Sequence, residues 1–248
     1  MLACAGLRGG AAPRTFAQKR KDRMHQIAID PVLIERLKAQ RGGRIHMFDR
    51  IDPARTAHVV IDMQNGFMEP GAAVETPMAR EIVPNINAIA RAVRDAGGTN
   101  VFIRFATPVD ALDSWSTFYA RLPADRRKQH QEAFAPGAHG WELWPELDVR
   151  DADLIVDKQR FGAFIPGTCD LHDILQARGI DTVIITGTLS NVCCESTARD
   201  AMQLNYNVIF VADGNAARTD ADHNNTLNTM CAMFADVMTT EEVVAALG

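Results

Sequence analysis

No segment of this chain approaches the ~20 consecutive apolar residues that a bilayer-spanning helix needs, so the sequence holds no candidate membrane helix. Aromatic residues are few, 6% of 248, although 47% of the chain is hydrophobic. Aliphatic side chains must therefore fill most of the interior, and a chain of this length can bury one large α/β core without a second domain. The five cysteines are odd in number and have no paired spacing, which argues against a disulfide framework and for reduced thiols in a reducing compartment. The seven histidines form no H-x-H or H-x₃-H pair and no Cys/His cluster, so neither a metal site nor a cofactor is expected. Excess positive charge is confined to one end. Residues 1–23 carry Arg8, Arg14, Lys19, Arg20, Lys21 and Arg23 against Asp22, a net of +5, whereas the whole chain is −5 and the remainder therefore −10. The acidic body argues against nucleic-acid binding by charge. The basic leader has no serine and no apolar core. It fits either an organellar transit peptide or an extension upstream of a start at Met24; a cytoplasmic location is expected, with organellar import by the leader as the alternative.

The most informative segment is Gly187-Thr188-Leu189-Ser190-Asn191-Val192-Cys193-Cys194, followed by Glu195 to Asp200. The apolar run before it, at residues 182–186, reads as a buried strand that breaks at Gly187 into a short polar turn and then a helix. Such a turn places a thiol among unpaired backbone N–H groups, where the helix dipole is expected to lower its pKa and favour the thiolate. The same N–H groups suit the oxyanion of a tetrahedral intermediate. Helical periodicity separates the two thiols. Cys194, Ala198, Ala201 and Met202 form a core-facing stripe, and Cys193 lies about 100° away beside Thr197. Cys194 is expected to pack and Cys193 to react.

Two further strands deliver charged residues at their ends. His58-Val59-Val60-Ile61 leads to Asp62-Met63-Gln64, and Leu154-Ile155-Val156 leads to Asp157-Lys158 and an aromatic loop with a glycine, Phe161-Gly162-Ala163-Phe164. Ligands of open α/β sheets bind outside the carboxyl ends of strands, so Asp62, Lys158 and Cys193 can converge on one crevice. Singly, each has a bland reading: a turn aspartate, a surface lysine, a small buried thiol.

Together the three segments resemble the isochorismatase-like cysteine hydrolase superfamily, whose motifs are a D-x-Q strand end, a K-x-x-[FY]-x-[AG]-F loop and a G-x-x-[ST]-N-x-C-[VC] turn. Here they stand in order as Asp62-Met63-Gln64, Lys158 through Phe164, and Gly187 through Cys194, and the resemblance covers residues 53–248. It is nearest the amidohydrolase branch of ureidoacrylate amidohydrolases and N-carbamoylsarcosine amidases. It implies a Rossmann-like three-layer α/β fold, a catalytic triad of Asp62, Lys158 and Cys193, and a cis peptide at Thr188–Leu189 beside the oxyanion site. It also implies a small amide or ureido substrate, hydrolysed through a thioester, and a homodimer or homotetramer. Gln64, Phe67, Phe161 and Phe164 are expected to line the pocket, with Arg104 or Arg160 anchoring a substrate carboxylate. Nicotinamidases of a neighbouring branch place an aspartate and several histidines after the second strand; residues 105–110 contain no histidine, which weighs against that activity. An isochorismatase proper, cleaving a vinyl ether without need of a thiol, and a non-catalytic scaffold are the alternatives.

The remaining pattern alternates strand and helix, as a doubly wound parallel sheet requires. Residues 80–97 read as a helix with Ile82, Ile86, Ile89, Ala90 and Val93 on one face and Pro84 in its first turn. Residues 100–105 and 207–211 read as strands, residues 169–178 as a helix, and Leu227, Met230, Cys231 and Phe234 as a helix face. Cys169 and Cys231 are expected to pack on helices. Residues 24–52 form an N-terminal arm. Residues 107–150, with all three tryptophans, break the alternation and suit either a lid or binding loop, or a satellite aromatic cluster or subunit interface.

Overall fold

A computed structural model describes residues 24–72 and 74–248; the basic leader, residues 1–23, lies outside the described residues. Among these, β1 (Thr56–Ile61), β2 (Thr99–Phe105), β3 (Leu154–Lys158), β4 (Thr182–Thr188), β5 (Asn207–Ala216) and β6 (Asp236–Met238) form one sheet. Every pairing is parallel and the order is β3-β2-β1-β4-β5-β6. The chain thus builds outward from β1 to β3, then returns to lay β4 against the other side of β1. Strand order reverses between β1 and β4, and a crevice opens there at their carboxyl ends.

The helices, in chain order, are α1 (Pro31–Gln40), α2 (Asn65–Met68), α3 (Met78–Asp95), α4 (Ala111–Ser114), α5 (Ser116–Tyr119), α6 (Ala124–Ala133), α7 (Leu171–Ala177), α8 (Glu195–Gln203), α9 (Asp220–Thr229) and α10 (Thr240–Ala246). Alternate side chains of the strands bury two cores. Val59, Ile61, Ile103, Val183 and Ile185 pack with Leu33 and Leu37 of α1, Leu171 and Leu175 of α7, and Ala198 and Ala201 of α8. On the other face Val60 and Phe102 meet Ile82, Val83 and Ile86 of α3, while Ile184, Ile209 and Val211 meet Ile89, Val93 and Val243. Every residue of β1 and of β4 is buried, as expected of strands covered on both faces.

Several expectations need correction. Pro84 lies inside α3 rather than in its first turn, because the helix begins at Met78. Met202 leaves the core stripe and is 39% exposed: α8 ends at Gln203, and its last turn runs past the core. Cys169 precedes α7 instead of sitting on it. β5 continues to Ala216, beyond a register shift against β4 between Ile185 and Gly187. Asn215 makes this irregularity tolerable: its side-chain amide donates to the Ile185 carbonyl (2.9 Å) and the Val211 carbonyl (2.7 Å), satisfying groups the shifted ladder leaves open. The N-terminal arm contains α1, and the segment before it runs along α9: Ala28 N–H donates to Asn224 Oδ1 and Asp30 N–H to Asn228 Oδ1, both at 2.8 Å.

A polar side chain also sits at the centre of the sheet. His58, fully buried in β1, donates from Nδ1 to Asn100 Oδ1 (3.2 Å), and its Nε2 accepts from the Thr186 hydroxyl (2.8 Å). One donor and one acceptor define a neutral imidazole. Burial pushes His58, His130 and His223 each down to about 4, whereas unfolded histidine titrates near 6.5. Between those values the unfolded chain binds more protons, so stability falls as pH drops from 6.5 towards 4, by up to about 1.4 kcal/mol per histidine per pH unit. His46, raised chiefly by its hydrogen bond to Asp236, and Asp62 and Asp200, both raised by burial, act in the opposite sense. The midpoint of urea unfolding is expected to be clearly lower at pH 5 than at pH 7; equal midpoints would contradict the buried neutral imidazoles.

Candidate active site

The carboxyl ends of three strands bring Asp62, Lys158 and Cys193 together. Asp62 follows β1 with φ +53, a left-handed conformation uncommon outside glycine, of the kind found at functional positions. Its N–H donates to the Ile103 carbonyl at 3.0 Å. Lys158 ends β3, and its Nζ lies 2.8 Å from Asp62 Oδ2, both side chains being fully buried. Nζ also donates to the Arg160 carbonyl (3.0 Å) and sits 5.0 Å from the centre of the Phe105 ring. β4 ends at Thr188; the Thr188–Leu189 peptide is cis, and a wide turn over Ser190–Cys194 precedes α8. Gly187 lets β4 approach β1 here: its φ is +122, and a Cβ would collide with the backbone of Ile61.

The turn is held from both sides. Thr197 Oγ1 donates to the Cys193 carbonyl (2.7 Å) and accepts from Ala163 N–H (3.2 Å), tying the aromatic loop to the Ser190–Cys194 turn. His223 Nε2–H donates to the Ala212 carbonyl (3.0 Å), so its Nδ1 is the acceptor for the Ser190 hydroxyl (2.8 Å). The two thiols face different ways, as the helical spacing predicts: Cys194 is fully buried in the core, and Cys193, 5% exposed, lines a cavity of about 590 Å³.

The electrostatics differ from the sequence expectation. Burial, and then the Asp62 carboxylate, push the Cys193 thiol up in spite of Lys158. Burial also raises Asp62 above the usual carboxylate range, against the pull of Lys158. For Lys158, burial works downward, and the charges of Asp62 and Cys193 outweigh it, leaving its pKa raised. The resting site is therefore a thiol beside a carboxylate of enhanced basicity and a fixed ammonium. The Lys158 contact is an ion pair by distance, yet neither Asp62 oxygen has a well-aligned hydrogen bond, so the carboxylate keeps lone pairs available for a proton.

Of the expected pocket residues, Phe67 and Phe161 line the cavity, whereas Gln64, Arg104, Arg160 and Phe164 do not. Gln64 is fully buried and acts as a substitute strand. Its amide donates to the Phe105 carbonyl (3.0 Å) and accepts from Phe105 N–H (2.7 Å), extending the β1–β2 ladder past the end of β1, and it also donates to the Trp141 carbonyl. Arg104 pairs with Asp157 (2.7 Å) and stacks 3.5 Å from the centre of the Trp141 ring. Arg160 donates to the carbonyls of Gln159 and Ser114, and Phe164 packs on Tyr206. The cations that do line the cavity are Arg126 and Arg218. Arg218 carries the signal of a residue just past a strand end, hidden because the polar stretch Asp213-Gly214-Asn215 interrupts the apolar run of β5. Residues 107–150 contain α4 to α6, which form an aromatic cluster and supply part of the cavity wall. Trp115, Phe118 and Tyr119 cluster with Phe105, Phe161 and His130, and Phe118, Leu122 and His130 also wall the cavity. Among the described residues, no group of three or more His, Cys, Asp or Glu side chains stands together as metal ligands would.

Comparison with known proteins gives consistent results. The sequence profile described as "Isochorismatase domain" matches residues 56–242. The chain is 33% identical over 198 residues to YwoC, an uncharacterised isochorismatase family protein of Bacillus subtilis (strain 168), covering 77% of this chain and 94% of that protein. It is 29% identical over 177 residues to the ureidoacrylate amidohydrolase RutB of Pseudomonas syringae pv. syringae (strain B728a), covering 66% of this chain and 71% of that one. A cysteine hydrolase from Pseudomonas syringae pv. phaseolicola 1448A superposes with a TM-score of 0.71 at 31% identity, over 79% of this chain and 94% of that chain.

Two outcomes are expected from this geometry. Iodoacetamide should label Cys193 well before Cys194, as peptide mass spectrometry would read; Cys194→Ala should lower stability by roughly 1 kcal/mol through a small cavity while keeping that labelling. Faster labelling of Cys194 would reverse the assignment. Lys158→Met, checked for folding by circular dichroism, should move the pH profile of Cys193 alkylation upward by about 1–3 pH units, since a neighbouring cation is lost. An unmoved profile would show that Lys158 does not act on the thiol.

Proposed function

The chain belongs to the isochorismatase family of hydrolases, and on that footing we propose that it cleaves a C–N bond of a small amide or ureido compound through a thioester acyl-enzyme. The observation that carries this reading is the buried Asp62–Lys158 ion pair, 2.8 Å apart, directly behind a thiol that faces an otherwise mostly apolar cavity. A vinyl-ether hydrolase needs no thiol there. The ureidoacrylate amidohydrolase among the relatives supports the amide direction.

In the proposed reaction Asp62 takes the S–H proton as the sulfur of Cys193 attacks the substrate carbonyl, so the thiolate exists only when there is a carbon to receive it. A raised carboxylate is suited to this, being basic enough to accept the proton and acidic enough to return it. Lys158 keeps its charge throughout and offsets the negative charge shared by Asp62 and the sulfur. The oxyanion is received by the backbone N–H groups of Leu189 and Cys193, held in place by the turn that Ser190, His223 and Thr197 secure. Asp62 then protonates the departing nitrogen, the C–N bond breaks, and ammonia or an amine leaves a thioester on Cys193. Water, deprotonated by Asp62, attacks the thioester; the acid product leaves and the thiol recovers its proton. Arg126 and Arg218 make the cavity lining attractive to a substrate with a carboxylate, a feature of ureido acids.

The test is incubation with a panel of ureido acids, small amides and isochorismate, assaying ammonia and pyruvate. Native protein should release ammonia from at least one ureido acid or amide, and Cys193→Ala should reduce that release at least ~10⁴-fold, as removal of a nucleophile does. Pyruvate without ammonia would replace this reading with vinyl-ether hydrolysis, and neither product would leave a scaffold.

A further inference from the structure

Among the polar side chains of the cavity wall that take no part in the chemistry above, His130 is the most deeply set in aromatic rings. His130, on α6, is 9% exposed and lines the same cavity as Cys193. Its ring is caged by aromatic rings, with centroids 5.5 Å from Phe105, 5.5 Å from Phe118, 5.3 Å from Phe134 and 5.8 Å from Tyr119. Apolar side chains fill such a wall at no polar cost, so an imidazole here calls for an explanation.

The hydrogen-bond inventory settles its tautomer. The Tyr119 hydroxyl lies 3.3 Å from His130 Nδ1, and among the described residues neither that hydroxyl nor His130 Nε2 has another partner. A buried phenol must donate its proton, and the acceptor within reach is Nδ1. A neutral imidazole that accepts at Nδ1 carries its hydrogen on Nε2, and burial, which pushes this histidine down to about 4, keeps it neutral at pH 7. Nε2, which has no partner among the described residues, is not among the fully buried polar atoms, so it keeps some exposure on a residue that lines the cavity.

We propose that His130 is a specificity residue that presents Nε2–H, fixed by Tyr119, to a hydrogen-bond acceptor on a flat, unsaturated or aromatic part of the substrate lying against Phe105, Phe118 and Phe161. The inference rests on the amide-hydrolase reading for the word substrate, but its geometry concerns binding alone. An uncharged donor in an apolar wall discriminates strongly, because a ligand lacking the acceptor leaves the N–H desolvated and unpaired.

The experiment therefore measures recognition without turnover. The probes are 2-bromo-N-phenylacetamide and its three pyridyl isomers, which alkylate Cys193 by forming an S–C bond with release of bromide. They differ only in one ring CH replaced by nitrogen. Native protein should be labelled at Cys193 about fivefold more efficiently by at least one pyridyl isomer than by the phenyl compound, the effect of one neutral hydrogen bond. His130→Phe keeps the aromatic packing and should abolish the preference. Tyr119→Phe releases the tautomer and should reduce it. Dividing each pyridyl rate by the phenyl rate in the same protein cancels altered intrinsic reactivity, and unchanged labelling by iodoacetamide shows that the thiol is undisturbed. No pyridyl preference in native protein, or an equal preference in His130→Phe, would overturn the proposal. Ammonia release failing on every amide while the preference holds would remove the hydrolase reading and leave His130 as a ligand-recognition residue.

Discussion

The arrangement of this molecule depends on one buried ion pair. Lys158 and Asp62, both wholly excluded from solvent, meet at 2.8 Å, and removing two such charges from water costs several kcal/mol for each. Neither charge is tolerable without the other, so the pair requires the end of β3 and the end of β1 to be held in register across the intervening β2. The sheet provides this through unbroken parallel ladders from β1 to β2 and from β2 to β3. Gln64 extends the first of these by binding the backbone of Phe105 with its side-chain amide. Burial in that site raises Asp62 above the usual carboxylate range, against the pull of Lys158.

A second consequence concerns the thiol itself. A helix start offers dipole stabilisation to a thiolate, but here the sulfur lies behind an aromatic wall and beside a carboxylate, and both effects favour the protonated form. Local helix geometry yields to tertiary environment because a dipole of partial charges is weaker than desolvation and a full negative charge in contact. The site accordingly holds Cys193 as a protonated thiol. The neutral histidines follow the same logic: His58 and His223 each spend both ring nitrogens on protein partners, whereas His130 spends one.

Strand ends were the legible part of the site. Asp62, Lys158 and Cys193 each follow a short apolar run, and apolar runs are what a doubly buried parallel strand must be made of. The distinction between Cys193 and Cys194 was legible as well, because helical spacing assigns faces. Pocket residues were legible only in part: Phe67 and Phe161 line the cavity as expected, whereas Gln64, Arg104, Arg160 and Phe164 do not. Arg104 and Arg160 are adjacent to site residues in sequence, yet one is taken by Asp157 and Trp141 and the other by backbone carbonyls. Arg218 and His130 come from segments whose placement depends on a bulged strand and on three short helices without strong periodicity.

By itself the sequence determined the class of fold, through alternation of β-branched runs with amphipathic stretches, and the chemical identity of the residues at three strand ends. Both follow from properties local to a few residues: side-chain period, backbone restriction at a glycine, and the solvation cost of a charge. The tertiary structure decided strand order, hence which of the ends share a crevice, and it decided the protonation of the thiol and the wall of the cavity. Those depend on burial and on contacts between residues as far apart as Trp115 and Phe161, or Asp62 and Lys158. Desolvation belongs to the whole packed interior, and no single segment of the chain contains it.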